Sequence, residues 1–402
     1  MDERIYYTEP QTLTCEAEVM SCEKVKDGYE VRVNRTVIFP SGGGQPRDRG
    51  TVAGHEVLAA RDDGEAIYYT IDTPLSVGDV VKLETQAEVR LDHSQQHSGE
   101  HIVSGLAKKL FGAANVGFHM AEDYMTIDLD MMLDRAQLSA LESAANDAIY
   151  RDVPITYALV GDDELEHIEL RKRSEKAKGL IRIVTIDGAD SCTCCGTHVK
   201  STGCIGAIKI VDFVKYKAGV RVWLACGKRA MNDYDKKHTE LAAIAKNFST
   251  KWTNAHEAVM KQSKELASAK RELKKRTLEL CDYKAKKLIE QAADTRRGKL
   301  VFVFEEDGSM DYIKTLSERI CTFSNAFAAV FARCGSTIFY RLMRSEGVNA
   351  SAGEICRAVN VALNGKGGGR DDSAQGSAVV SDASVAAIEQ IKSYIGNVLN
   401  AK

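Results

Sequence analysis

Two short motifs nearly a hundred residues apart each carry two metal-ligating side chains, spaced by four positions. The first is His97-Ser-Gly-Glu-His101 and the second is Cys194-Cys-Gly-Thr-His198. Residues four apart on a helix share one face, so both imidazoles of the first motif can reach one ion. The second motif offers a thiolate and an imidazole at a glycine-bearing turn. Three nitrogens and one sulfur are a set that zinc favours, so the sequence predicts Zn²⁺ held by His97, His101, Cys194 and His198.

Neither motif is specific by itself. A histidine pair on a helix is usually a pair of surface or partly buried side chains, and His93, four residues before His97, could compete as a ligand. Four protein ligands are also the closed pattern of structural zinc, whereas catalytic zinc keeps one position open. The site could therefore gain a fifth ligand, release one of the four, or use the metal only to shape a pocket.

The composition indicates a folded protein of several domains. The chain has 402 residues, of which 44% are apolar and 28% are charged, and this length predicts two to four domains. The net charge of −3 excludes a global attraction to nucleic acid, so RNA binding would need local basic patches. Seven of the eleven cysteines are scattered and the other four form a cluster from Cys192 to Cys204, which is not a disulfide framework and indicates a metal or reactive site. With neither a secretory leader nor a long apolar run, we expect a cytoplasmic protein that does not enter a membrane.

Gly and Pro divide the first half of the chain into two regions. All five prolines lie in the first 154 residues, where stretches of alternating polarity also occur. That pattern is typical of strands, and it predicts a small N-terminal antiparallel β-barrel or sandwich over residues 1–90. Residues 91–228 combine a helix that ends at Gly112 with strand-like stretches around the cysteine cluster, so we expect an α+β core there.

The second half begins with a helical spacer over residues 229–298. Between Gly227 and Gly298 the chain has neither glycine nor proline, and we predict one helix to about residue 247 and a second over 255–297. Asn254, with Glu257 as its capping-box partner, would start the second helix. A partly apolar seven-residue repeat favours a hairpin or a dimerising coiled coil, and it consists of Val259, Leu266, Leu273 and Leu280. Residues 299–402 alternate strand and helix and predict a C-terminal α/β domain, so the fold class is α+β multidomain.

Three motifs, in order along the chain, carry a resemblance to a known family. The segments HSGEHIVSGL and CCGTHVKSTGCIG resemble the paired zinc motifs of the editing domain of alanyl-tRNA synthetase and of its free-standing AlaX relatives. Upstream, FPSGGGQPRDRG is similar to the glycine-rich signature that precedes this editing core. Near the end, GKGGGRDDSAQGS resembles the glycine-rich end of the DHH-associated domain. The family pattern selects His97 and His101 over His93, and it implies the long AlaX form with a zinc editing core and tRNA(Ala) as partner.

The resemblance implies hydrolysis of mischarged Ser-tRNA(Ala) and Gly-tRNA(Ala) in trans. About 35 residues precede the glycine-rich signature, which is too few for an aminoacylation domain, so we expect no ATP-dependent ligase activity. Two alternatives remain, namely a non-catalytic zinc protein that binds tRNA and a threonyl-type editor. A homodimer formed through the helical spacer or the C-terminal domain is the expected assembly.

Several residues receive expected roles within this reading. Thr197 and His119 could face the pocket and act on the substrate. The structural alternative for Thr197 is a turn-forming hydroxyl, and for His119 it is a partly buried histidine at the start of a strand. The glycines after Ser41 permit a tight turn close to a ligand, and a nucleotide-binding P-loop is excluded because no Lys-Ser/Thr follows them. The expected catalytic residues are His119, Thr197 and Gln45. The expected substrate-binding or tRNA-binding residues are Gly42, Gly43, Gly44, Arg171, Lys172, Arg173, Gly367, Gly368, Gly369 and Arg370.

Overall fold

The computed structural model describes residues 2–165, 167–173, 181–381 and 384–401. The chain divides into two compact units, Met1–Ile244 and Ala245–Lys402. Each unit combines helices with sheets, so the predicted α+β multidomain class is confirmed, while the finer division into four segments stays a prediction. Within the described ranges, no helix has the length and apolar character needed to span a bilayer.

The first unit begins with a sheet built mostly from short strands. With one helical turn, its elements are β1 Glu3–Arg4, α1 Ile5–Thr8, β2 Thr14–Val25, β3 Gly28–Val33, β4 Arg35–Thr36, β5 Gly50–Val52, β6 His55–Glu56, β7 Ala59–Asp62, β8 Ile67–Ile71 and β9 Val80–Thr85. Seven of these strands pair in the order β6-β5-β9-β2-β3-β8-β7. The first part of the long strand β2 pairs with β9 and the second part with β3.

This pairing refines the predicted barrel or sandwich. The order is linear, with β6 and β7 as its two edges, so the sheet is an open half-barrel around its own apolar core. Alternating polarity predicts strands and their buried face, but it does not say whether the two edge strands meet.

The second part of this unit carries the cysteine cluster. Its elements are α2 Ala87–Phe111, β10 Asn115–Met120, β11 Met125–Leu129, α3 Arg135–Tyr150, β12 Ile155–Val160, α4 Asp162–Leu165, β13 Ile181–Ile186, β14 Asp190–Thr193, β15 Ile208–Tyr216 and β16 Gly219–Cys226. Four strands form a sheet in the order β10-β11-β16-β15, and three form a second sheet in the order β12-β13-β14. Helix α2 packs against α3, β14 and β16. It ends, as predicted, at Gly112, which has φ +74° in the left-handed region that suits glycine.

Two helices follow, α5 Gly227–Asn247 and α6 Ala255–Glu290. Both were predicted, but two details differ from the sequence analysis. The side chain of Asn254 makes no capping hydrogen bond, so the expected capping box does not form. Helix α6 ends at Glu290 instead of residue 297, because residues 293–295 pair with the next strand in the sheet of the second unit.

That sheet has six strands and helices on both faces. Its elements are β17 Ala293–Thr295, β18 Gly298–Glu305, α7 Met310–Phe323, β19 Ala326–Cys334, β20 Thr337–Arg344, α8 Ala352–Leu363, β21 Lys366–Gly369, β22 Ser373–Val379 and α9 Ser384–Asn400. The strand order is β17-β18-β19-β20-β22-β21, with β18 and β19 parallel. Separate apolar clusters cover the two faces. The predicted α/β alternation holds, and the hairpin β19–β20 lies between α7 and α8.

Candidate metal centre

The four predicted metal ligands meet in one place. The potential ligand atoms of His97, His101, Cys194 and His198 all lie within 4.8 Å of one another. The Cys194 Sγ atom is 3.4 Å from Nε2 of His97 and 3.3 Å from Nε2 of His198. The three imidazoles are buried and Cys194 is partly buried. Two motifs almost a hundred residues apart therefore form a single cluster of three nitrogens and one sulfur, which is a zinc-type ligand set.

Helix α2 supplies one half of the cluster and a tight loop after β14 supplies the other. The loop passes so close to α2 that a Cβ atom on Gly196 would collide with the His97 ring. Buried Arg182 fixes the loop from the opposite side, because its guanidinium donates to the carbonyl oxygens of Cys194 and Gly196 at 3.2 and 2.8 Å. The Gly196 N–H also donates to Cys194 Sγ at 3.3 Å. The loop geometry is thus set by glycine at one point and by a buried cation at another.

Hydrogen bonds at the Nδ1 atoms orient the imidazoles of His97 and His101. The Gln45 Oε1 atom accepts the backbone N–H of Thr197 at 3.0 Å, and it lies 2.8 Å from His97 Nδ1. Since that oxygen can only accept, His97 carries its proton on Nδ1. Likewise, Nδ1 of His101 lies 2.9 Å from a carboxylate oxygen of Asp190. His97 therefore turns an unprotonated Nε2 toward Cys194 Sγ, which is the arrangement of a metal-bound histidine, while the Asp190 carboxylate orients the ring of His101.

The partner of His198 is weaker. Its Nδ1 lies 3.1 Å from the hydroxyl of Ser98, which also accepts the Val199 N–H at 3.2 Å. A hydroxyl can donate or accept, so this contact does not fix the tautomer of His198 as a carboxylate or an amide oxygen does.

Asp190 connects His101 to Arg171. The Arg171 guanidinium contacts both oxygens of the Asp190 carboxylate, at 2.6 and 3.0 Å, and its side chain is only 11% exposed. The predicted role of Arg171 in binding tRNA stays a prediction, and in the structure its guanidinium is paired with Asp190. The charge of Arg171 is neutralised by the buried carboxylate of Asp190, which was not predicted. Arg171, Asp190 and His101 form a chain of contacts that ends at the cluster.

The groups of the cluster favour a thiolate at Cys194, a proton on His101 and a neutral His198. Burial opposes ionisation of the Cys194 thiol, but the three surrounding imidazoles hold its pKa well below the ordinary value. Burial also disfavours protonated His101, yet Cys192, Cys194 and Asp190 raise its pKa well above normal. Burial lowers the pKa of His198 to about 3. A thiolate beside neutral His198 is the state in which these groups bind a cation.

The glycines at 42–44 form the tight turn that was expected. All three have positive φ, and backbone hydrogen bonds join Gly42 and Gln45 in both directions, at 3.0 and 3.1 Å. The turn delivers Gln45 to the cluster and packs against Cys195 and Phe118.

Thr197 is fully buried, and its hydroxyl accepts from Gln45 Nε2 and Ser94 Oγ at 2.9 Å each. These contacts place Gln45 and Thr197 in a positioning network beside His97. Their predicted catalytic roles stay predictions.

His119 lies on β10 with an exposed side chain. Its neighbour Phe118 stands 5.5 Å from the His97 ring, between centroids, and successive residues of a strand point to opposite faces. His119 therefore points away from the face that Phe118 presents to the cluster, and its predicted catalytic role stays a prediction. His93 lies outside the cluster, with Nδ1 at 3.9 Å from a carboxylate oxygen of Asp48.

The remaining predicted binding residues lie on the surface. Lys172 and Arg173 are exposed, beside the part of the basic segment that is outside the described residues. The glycines Gly367, Gly368 and Gly369 form the exposed edge strand β21, and Arg370 follows them. The structure brings none of these surface residues into the metal cluster.

Sequence reasoning missed Asp190, Arg182 and Ser98, because their contacts with the cluster are made across the fold. The one signal that could have indicated Ser98 and Asp190 was their closeness in sequence to predicted ligands. Ser98 lies next to His97, and Asp190 lies four residues before Cys194.

Comparisons with known proteins agree with this site. Residues 181–222 match the family described as the threonyl and alanyl tRNA synthetase second additional domain. The alanyl-tRNA editing protein AlaX-L of Pyrococcus horikoshii is 29% identical, over 98% of this chain and 100% of its own length. The alanyl-tRNA editing protein Aarsd1 of Rattus norvegicus is 30% identical, over 89% of this chain and 86% of its own. Alanine–tRNA ligase of Pyrococcus abyssi is 27% identical over 92% of this chain and 41% of its own length. The chain therefore belongs to the AlaX-type family of alanyl-tRNA editing proteins.

Proposed function

We propose that this protein is a zinc-dependent hydrolase that removes serine or glycine from mischarged tRNA(Ala) in trans. The observation that carries the proposal is the buried cluster of three imidazoles and one thiolate, in which Gln45 and Asp190 fix two of the ligand rings. The names of the similar proteins support the same class of substrate.

The donor set fits Zn²⁺, with His97, His101, Cys194 and His198 as ligands. Zinc bound there would polarise an ester carbonyl or lower the pKa of a water molecule. The residues of the chain supply position: Arg182 and Gly196 hold the loop against α2, and Gln45 ties the glycine turn to His97. We propose that Asp190 and Arg171 position His101 in the same way.

Discrimination between amino acids follows from hydrogen bonding. Glycine is smaller than alanine and serine adds one hydroxyl, so an alanine-selecting enzyme accepts both to some extent. The Thr197 hydroxyl accepts two hydrogen bonds, which leaves its own proton free to donate to a seryl hydroxyl. Alanine would leave that donor unpaired in a buried site, at a free-energy cost of roughly 1–3 kcal/mol. We therefore propose serine as the preferred amino acid.

A deacylation assay tests this function. We expect the zinc-loaded protein to hydrolyse Ser-tRNA(Ala) and Gly-tRNA(Ala) faster than Ala-tRNA(Ala), and a chelator to stop all three reactions. Cys194→Ala should abolish turnover, whereas Cys334→Ala, which alters an exposed cysteine of the second unit, should not. Equal rates with Ser-tRNA(Ala) and Ala-tRNA(Ala) would contradict the proposal.

One observation favours a second candidate, a tRNA-binding protein that catalyses nothing. The cluster offers four protein ligands, and its three histidines are buried, as in structural zinc sites. In that case His101→Ala would unfold the first unit, and the wild-type protein would bind tRNA(Ala) without hydrolysing its ester. Measuring binding and hydrolysis on the same preparation separates the two candidates.

We also propose a homodimer formed through α6. The side chains of Val259, Leu266, Leu273 and Leu280 are 38–67% exposed and recur every seven residues. Sedimentation of the wild-type chain and of a Leu266→Glu, Leu273→Glu double variant tests this proposal. A dimer that persists in the double variant would contradict it.

A further inference from the structure

A short segment near the start of the chain is linked to both elements that carry the metal ligands. This segment is residues 7–11, which we call the strap. It follows directly after Tyr6, a fully buried side chain in the core of the first sheet. At its other end, Thr12 closes a turn by donating to the carbonyl oxygen of Glu9 at 2.9 Å and to the carboxylate of Glu9 at 2.8 Å. The strap therefore runs between a buried core and a tight turn.

Side chains from three elements hold the main chain of the strap. Each of them donates a hydrogen bond to one of its carbonyl oxygens. The pairs are Arg182 Nε with Tyr7 at 3.1 Å, the Tyr157 hydroxyl with Thr8, and Arg90 Nη1 with Pro10 at 2.7 Å. Arg90 lies on α2, two helical turns before His97. The strap is thus fixed to the helix that carries the histidine pair.

The strap is also connected to the loop that carries Cys194 and His198. This loop lies after the end of β14, and side chains bind three of its carbonyl oxygens. The same Arg182 guanidinium that holds the strap donates to Cys194 and Gly196. From the strap itself, Gln11 Nε2 donates to the His198 carbonyl oxygen at 3.2 Å. Both ligands of the second motif are therefore linked to the strap, His198 directly and Cys194 through Arg182.

Arg182 is a rigid connection between the strap and the loop. The residue is 6% exposed, and its guanidinium carbon lies 5.2 Å from the ring centroid of Tyr7 and 5.5 Å from that of Tyr157. Aromatic faces at this distance attract a cation. A guanidinium that is held by three carbonyl oxygens and two rings has little freedom to move, so a displacement of the strap is passed on to the loop.

His198 is the ligand that depends most on such support. The rings of His97 and His101 are oriented by an amide oxygen and a carboxylate, whereas the Ser98 hydroxyl does not fix the ring of His198. Gln11 instead holds the main chain of His198. A ligand that is held in position before the metal arrives loses less conformational freedom on binding, so the metal affinity is higher.

Resting on the zinc ligands of the proposed function, we propose that the strap is a third component of the metal centre. In this component Gln11 is the positioning residue for His198, from which it is separated by 187 positions along the chain. Its role is to hold the ligand pair of the loop against the ligand pair of α2. It acts through His198 and does not contact the substrate.

Gln11→Leu removes the amide donor and keeps a side chain of similar size. We expect it to lower zinc affinity about 3- to 10-fold, the range that one hydrogen bond supplies. Competition with a chromophoric chelator measures the affinity. Titration with Co²⁺, followed by its thiolate-to-metal absorption, gives the same comparison for a second ion. Gln86→Leu is the control, because Gln86 is exposed and its side chain does not cap α2, and it should leave both affinities unchanged.

Tyr157→Phe tests whether the effect passes through the strap. It keeps the ring beside Arg182 and removes the hydroxyl that donates to the Thr8 carbonyl oxygen. We expect zinc affinity to fall about 2- to 5-fold. The double variant with Gln11→Leu should lose less than the product of the two single losses, because both changes release the same segment. The control is Tyr150→Phe, at a side chain of α3 that is 83% exposed, and it should bind zinc like the wild-type protein.

Two further measurements separate positioning from general stability. Chemical denaturation of the zinc-free protein should give Gln11→Leu the same midpoint as Gln86→Leu, because the strap remains fixed by its other contacts. Excess zinc should restore the rate of Ser-tRNA(Ala) hydrolysis in Gln11→Leu, because the variant weakens binding of the metal and leaves the substrate contacts in place.

The proposal is overturned if Gln11→Leu binds zinc as tightly as Gln86→Leu, or if Tyr157→Phe behaves like Tyr150→Phe. It is also overturned if zinc affinity falls only together with the denaturation midpoint, or if excess zinc does not restore hydrolysis. In each of these cases the proposed function stands, because the wild-type protein still binds zinc and hydrolyses Ser-tRNA(Ala). A wild-type protein that does not bind zinc would contradict both proposals.

Discussion

The two glycine-rich segments of the molecule have similar compositions but meet different physical requirements. In the first unit Gly42, Gly43 and Gly44 all have positive φ, and they form a turn that packs against Cys195 and Phe118. In the second unit the glycines of β21 are in extended conformation on an exposed edge. There glycine is needed where a side chain would collide with β22, as at Gly367 and Gly369, whereas Gly368 faces open space. Glycine content alone therefore does not distinguish a turn that builds a site from a strand that lies close to its neighbour.

The largest difference in stability between the two units should appear when the metal is removed. Among the described residues, the clusters able to hold a metal lie in the first unit. At a zinc concentration near 1,000 times Kd, binding stabilises the fold by about 4 kcal/mol. We expect chelation to lower hydrogen-exchange protection in α2 and β14, and to leave β19 and β20 unchanged. Equal loss of protection in both units would show that the metal does not act locally.

The next effect concerns the glycine turn. A Cβ atom on Gly44 would lie 2.5 Å from the Phe118 ring, and Gly44 has φ +87°. We expect Gly44→Ala to destabilise the protein by about 3 kcal/mol, of which roughly 1 comes from backbone strain and the rest from overpacking. Chemical denaturation followed by circular dichroism gives the change.

Gly54 is the matched control for that variant, because it has φ +82° with nothing within 4 Å of its Cβ direction. Gly54→Ala should cost only the strain, about 1 kcal/mol. If both variants cost the same, contact with Phe118 is not what requires glycine at position 44.

A smaller effect is expected from the carboxylate behind His101. Asp190→Asn keeps the size of the side chain but removes the charge that lies 2.9 Å from His101 Nδ1. Loss of such a partner typically lowers metal affinity by about 10- to 100-fold, and we expect a change in this range. Competition with a chromophoric chelator measures it without reference to activity.

Asp128→Asn provides the comparison. Asp128 contacts Arg221 through both oxygens, at 2.6 and 2.8 Å, much as Asp190 contacts Arg171, but it lies on β11 and is not a member of the metal cluster. Its replacement should leave zinc affinity unchanged. Similar losses in both variants would mean that general destabilisation, and not the position of His101, lowers the affinity.

The smallest effects are expected on the edge strand of the second unit. A Cβ atom on Gly367 would collide with the Gln375 carbonyl oxygen, whereas Gly368 has no neighbour within 4 Å. We expect Gly367→Ala to cost about 1–2 kcal/mol and Gly368→Ala to stay within about 0.5 kcal/mol. Thermal unfolding of the two variants tests the difference. A large loss in Gly368→Ala would mean that its open face is covered in the folded protein.

Sequence reasoning selected the four residues of the candidate metal centre because each pair is local. His97 and His101 are fixed by one helical turn, and Cys194 and His198 by one loop, so spacing alone carries the information. The family resemblance then indicated that the two pairs meet. The long helices were also predictable, since a segment without glycine or proline between Gly227 and Gly298 has strong helix formers throughout.

What remained unpredicted depends on contacts between distant residues. Arg171 stands in a basic segment that is typical of a surface, yet Asp190 buries its charge. Nothing local marks residues 293–295 as a strand until β18 is present to pair with them. The N-terminal sheet has open edges because of the order in which its strands pair. The alternation of polarity within each strand does not indicate its pairing partner.

The division of the metal centre between α2 and the loop after β14 also sets an order of events during synthesis. About ninety residues separate His101 from Cys194, and ribosomes add roughly 5–20 residues per second. The time between translation of His101 and translation of Cys194 is therefore on the order of 5–20 seconds. During that interval the nascent chain has only half of the four residues, so we expect a metal that needs all four to bind late in the production of the protein.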